Sequence, residues 1–138
     1  MRGNTRPQPF RQLGKYAAES GWQKRAVFLL HQGVETVYSC LLLTLTNYSP
    51  PSHNLKFLRG LAEDQDCLID AWPRDQHRYT AWYNILNEAY VKARYSKHFE
   101  ITEEALGWLL ERTEQLHQIV AAICKERLSE LEQTSAAN

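Results

Sequence analysis

Apolar side chains separated by steps of three and four residues predict an all-α protein, an antiparallel up-and-down bundle of four or five helices. No segment alternates apolar and polar residues with the period of two that a half-buried strand requires. Proline-bearing corners at Tyr48–His53 and Trp72-Pro73 cut the chain into helix-length pieces, because proline removes a backbone donor and pushes the preceding residue toward extended geometry.

Residues 1–9, with Gly3, Pro7 and Pro9, read as a flexible leader or the remnant of a linker, and residues 10–138 as one domain. Phe10, Leu13, Tyr16 and Ala17 have helical spacing, and Ser20-Gly21 closes that segment, with Trp22 folding back on Tyr16 or Ala17. From Gln23 to about Asn47 there is no proline. Ala26, Leu30, Gly33 or Val34, Val37, Leu41 and Leu45 recur at helical steps, which predicts a spine helix of roughly 37 Å. Its other face carries Phe28, Gln32, Glu35, Ser39 and Leu43, a mixed surface expected to meet a second copy of the chain.

After the proline corner, Ser52 or Asn54 is placed to cap a helix bearing Leu55, Leu58, Leu61 and Ala62. Cys67 to Trp72 reads as a short helical turn halted by Pro73. A helix over about 75–95 sets Tyr79, Trp82, Tyr83, Leu86, Ala89, Tyr90 and Ala93 on one broad stripe, the face it must bury. Thr102 caps the last helix, where Glu103 and Glu104 suit the positive end of the macrodipole and Leu106, Leu109, Thr113, Leu116, Val120 and Ile123 form the packing seam.

Composition narrows the function classes. Hydrophobic residues make up 43% of the chain and formal charge balances at zero, so there is no global field to gather nucleic acid or a membrane surface. Charge is uneven locally: Arg2, Arg6, Arg11, Lys15, Lys24 and Arg25 face only Glu19 in the first stretch, whereas residues 100–132 are mostly acidic. Cys40, Cys67 and Cys124 have neither the even number nor the spacing of a disulfide framework or zinc site, and no metal or cofactor is expected. The longest apolar run, Cys40–Leu45, falls short of the roughly 20 residues that span a bilayer. A cytoplasmic protein without membrane contact is the expectation.

The run Arg25–Tyr38 resembles the long second helix of HEPN domains. Three further matches follow in order: the Tyr48–Leu55 corner, the helix end Ala89–Ser96, and Phe99–Glu104 leading into the last helix. Together they span most of Leu13–Leu128, and the whole is most similar to the C-terminal HEPN half of bacterial fusions with a minimal nucleotidyltransferase. The resemblance implies a helical bundle, a homodimer, a nucleotidyltransferase partner, purine nucleotide binding in some members and RNA cleavage in others. The catalytic half has no counterpart here, since no Gly-Ser motif with paired aspartates occurs. The ribonuclease members carry Arg, a polar residue and then His after four to six intervening positions. Arg94-Tyr95-Ser96-Lys97-His98 has three intervening residues and no Asn or Asp after the arginine, which displaces the proton-handling histidine from the phosphate-holding arginine.

Alternating helix directions would bring the loops 48–53 and 94–101 to one end of the bundle, gathering His53, Lys56, Arg94, Tyr95, Lys97 and His98 as a nucleotide or phosphate site. Arg94 equally suits the plainer task of neutralising carbonyls at a helix end. His31 and Glu35, four apart, are expected to pair, in the manner of a base with its orienting carboxylate or as a structural pair. Three readings follow: a non-catalytic HEPN module that dimerises and holds a nucleotide beside a nucleotidyltransferase; a metal-independent ribonuclease toxin using Arg94 and His98, the only reading with RNA as partner; and a purely structural dimerisation domain.

Overall fold

The computed structural model describes residues 22–63, 71–95 and 99–137, and every secondary-structure element among them is helical. The helices are α1 (Gln23–Thr46), α2 (Leu55–Glu63), α3 (His77–Tyr95) and α4 (Glu103–Ala137), as the apolar spacing requires. The expected helix before Gly21, the turn at Cys67 and the leader lie outside the described residues.

The hub is α1, which packs against α4, α3 and α2, whereas α3 and α4 meet chiefly through long side chains. Its buried face is Val27, His31, Val34, Tyr38, Leu41 and Leu42. That face is rotated by about one residue from the stripe read from the sequence. Leu30, Val37 and Leu45 are only partly buried, and two residues with polar atoms, His31 and Tyr38, take the centre. Such groups tolerate burial when bonded, and both are: the Trp72 indole N–H donates to the Tyr38 hydroxyl at 2.9 Å, and His31 bonds to a loop carbonyl. By length and composition α1 is apolar enough to cross a membrane. Its packed face makes it the core helix of the bundle.

The terminations follow local chemistry. Asn47 ends α1 in the left-handed region (φ 63°), its N–H bonding to the Leu43 carbonyl at 2.9 Å. Asn54 is the cap of α2: its Oδ1 accepts the N–H groups of Lys56 (3.0 Å) and Phe57 (3.2 Å), while Ser52 Oγ accepts the Asn54 N–H. Thr102 Oγ1 accepts the Ala105 N–H at 3.1 Å, the cap expected for α4. The seam of α4 buries Ala105, Leu109, Leu116 and Val120.

Helix directions differ from simple alternation. Tyr83 packs on Trp72 beneath Tyr38, Tyr90 packs on Phe28 and His31, and Ala93 and Tyr95 share a recess with Lys24 and Phe28, so α3 runs opposite to α1. The loop after α1 and the loop after α3 therefore start at opposite ends, not at one end. The extended, proline-stiffened run 48–54 makes the return that a full helix was expected to make. At roughly 3.3 Å per residue its length matches the stretch of α1 from Thr46 back to Glu35. His53 consequently lies midway along α1.

Candidate functional site

The return of the proline corner builds a polar cluster on one side of the bundle from α1, the 48–54 run and α3. His31, fully buried, donates its Nε2–H to the His53 carbonyl at 3.0 Å. That acceptor fixes the tautomer. Its Nδ1 has no hydrogen-bond partner among the described residues and lies 3.9 Å from Glu35 Oε1. Burial holds the His31 pKa below the ordinary 6.5, partly offset by the Glu35 carboxylate.

The carboxylate of Glu35 goes principally to another partner. His53 Nδ1–H donates to Glu35 Oε1 at 2.8 Å, so the His31–Glu35 pair expected from the i, i+4 spacing is displaced by a loop histidine. The His53 ring lies flat on Tyr90, with centroids 3.9 Å apart and planes 11° from parallel. Tyr90 also stacks on Phe28 (5.8 Å). Side-chain exposure of His53 remains 56%. With Nδ1–H committed to Glu35, Nε2 is the acceptor nitrogen of a half-exposed imidazole, an arrangement suited to receiving a proton or a ligand donor.

The other sequence-selected residues distribute around this cluster. Arg94 follows Tyr90 by one helical turn on α3, and Tyr95 is 70% exposed. Lys97 and His98 lie outside the described residues, as does the Arg94 side chain. The Lys56 N–H is shared between Asn54 Oδ1 and Asn87 Oδ1 (3.1 Å), which ties α2 to α3, but the Lys56 side chain lines a different recess, with Arg59 and Arg74. On the mixed face of α1, Gln32 and Leu43 are exposed and Ser39 is half-buried, while Phe28 and Glu35 have the partners described above.

The aromatic stripe of α3 is chiefly core. Tyr83 is buried, and Tyr79 and Trp82 join Trp108 of α4 in a cluster that reaches Trp72. Trp72 itself, one of the most buried large side chains, was not legible beside the polar run before it. Arg59 also escaped the sequence reading. The available signal was Lys56, Arg59 and Glu63 falling on one face of α2 at steps of three and four. Among the described residues no group of three or more His, Cys, Asp or Glu side chains is arranged to hold a metal ion.

Comparison with known proteins gives one result. The HEPN domain family profile matches residues 8–127, most of the chain. No curated protein matches it.

Proposed function

We propose that this chain, which belongs to the HEPN domain family, is a non-catalytic helical module that dimerises, partners a minimal nucleotidyltransferase and holds a purine nucleotide against the face made by His53 and Tyr90. The observation that carries the reading is the bracing of His53. A half-exposed imidazole, fixed by Glu35 and stacked on an aromatic ring, is a rigid donor-acceptor edge that costs little order on binding. Arg94, one turn further along α3, supplies the positive charge that a triphosphate needs. The non-catalytic part rests on the short Arg94-to-His98 spacing. Exposed Gln32 and Leu43 on α1 support the dimer face. A cytoplasmic location belongs to the same reading.

Sedimentation tests the assembly. The purified chain is expected to sediment as a dimer, and a minimal nucleotidyltransferase encoded beside it to sediment with it when mixed. A monomer, or the lack of any such neighbour able to bind, contradicts this reading.

A second reading has one observation of its own. The Glu35–His53 pair has the form of a general base with its orienting carboxylate, which a metal-independent ribonuclease uses to move a proton while an arginine such as Arg94 steadies the phosphate. Under it, expression arrests growth with cleaved cellular RNA, and His53→Ala or His98→Ala relieves the arrest. Harmless overexpression with intact transfer RNA eliminates it.

A further inference from the structure

About two turns along α3 from Tyr90, α2, α3 and the segment Ala71–Arg74 line an open recess of about 340 Å³. This is within the size range of small-ligand sites, roughly 300–1,000 Å³. Its charged lining is Lys56, Arg59 and Arg74 against the single carboxylate of Glu63. Arg59 Nε–H donates to Glu63 Oε2 at 3.1 Å, so the one negative charge is already matched. Lys56 and Arg74 form no ion pair among the described residues, so the described lining sets three cations against one carboxylate.

The floor of the recess supplies an independent observation. Tyr83 is only 6% exposed, and its hydroxyl is buried with no hydrogen-bond partner among the described residues. The Arg59 guanidinium lies 5.1 Å over its ring. Burial pushes the Tyr83 pKa up, with Arg59 and Arg74 pulling against it, so the hydroxyl remains a proton donor at neutral pH. Buried polar groups without partners are rare, and each calls for a cause. Phenylalanine would fill the same space without an unpaired donor.

We propose that this recess binds the phosphate dianion of a small phosphorylated molecule, its oxygens met by Lys56, the Arg59 guanidinium, Arg74 and the Tyr83 hydroxyl. The three cations of the described lining suit the dianionic charge of a phosphate monoester. The planar guanidinium of arginine provides the N–H fork to which phosphate oxygens bond. Trp72, Pro73 and Gly60 form a less polar wall beside the cations, against which the body of the ester rests. The site is separate from the proposed nucleotide face and stands or falls without it.

Amide chemical shifts of the full chain, titrated at fixed ionic strength, provide the test. Ribose 5-phosphate is expected to shift the Gly60, Thr80 and Asn84 amides and the Trp72 indole N–H saturably, and free ribose to leave them unchanged. Arg74→Ala and Lys56→Ala, both exposed positions, each weaken binding about tenfold, the effect of losing one charge-assisted contact. Tyr83→Phe, which keeps the packing, weakens it several-fold. Arg78→Ala, a cation of α3 outside the recess, changes affinity less than twofold. Inorganic phosphate in a parallel titration identifies the source: equal affinity means the free ion is held, and tenfold weaker affinity means the wall reads the ester body. Shifts that never saturate, that map outside the recess, or that are indifferent to Arg74→Ala and Lys56→Ala overturn the proposal.

Discussion

His53 lies flat on Tyr90 while its Nδ1–H is held by Glu35, so a loop residue is locked between the side chains of two helices. Stacked rings of this kind contribute about 0.5–1.5 kcal/mol beyond the area they bury. A double-mutant cycle with His53→Ala and Tyr90→Leu, followed by urea unfolding, is expected to give a coupling of about that size. Additive single effects would show that the stack carries no energy of its own.

His31 makes stability depend on pH in one direction. Its pKa is held below the ordinary 6.5 in the folded chain, chiefly by burial, so at acid pH the unfolded chain binds the proton that the folded chain refuses. The stabilisation is complete above about pH 6.5 and is lost as the pH falls below it toward the folded-state value, with a slope of at most about 1.4 kcal/mol per pH unit. His31→Gln retains a donor for the His53 carbonyl and removes the titration. Unfolding curves between pH 7.5 and 5.5 should fall more steeply for the natural chain than for this variant, and parallel curves would refute the assignment.

Two buried tyrosines predict opposite outcomes for the same substitution. Tyr38→Phe removes the acceptor of the Trp72 indole N–H and leaves that donor buried, at a cost of about 1–3 kcal/mol. Tyr83→Phe removes a hydroxyl with no partner among the described residues and is expected to be neutral or slightly stabilising. Thermal unfolding of the two variants decides this. Equal losses would mean that the Tyr83 hydroxyl is bonded after all.

Asn54 satisfies two amides at the start of α2 and fixes where that helix begins. Asn54→Ala is expected to cost about 1 kcal/mol, and Asn54→Ser much less, because serine also caps. The midpoint of urea unfolding measures both. An alanine variant as stable as the natural chain would show that the Asn87 contact alone secures Lys56.

The helical class, three of the four helix starts and the α4 seam were readable because apolar spacing and capping residues are local properties of the chain. Thr102 and Asn54 announce helices through their own side chains and nearest amides. The centre of α1 was not readable, since His31 and Tyr38 are admitted to the core only by partners 22 and 34 residues away. For the same reason the sequence paired Glu35 with His31: the four-residue step is visible in one helix, whereas His53 arrives through the geometry of Pro50-Pro51. The opposite directions of α1 and α3 likewise depend on an extended run doing the work of a helix. Lys56 was singled out as a cation of the His53 loop, yet its side chain shares a recess with Arg59, one turn further along α2, and with Arg74 of the segment that follows.

Titration of the chain with ATP, followed through the ring signals of His53 and Tyr90, tests the proposed nucleotide face most directly. Saturable shifts of both rings are expected, with affinity at least about tenfold weaker in His53→Ala and in Arg94→Ala while the bundle stays folded. Unperturbed rings at millimolar ATP, in the free chain and in its complex with a nucleotidyltransferase, would contradict it.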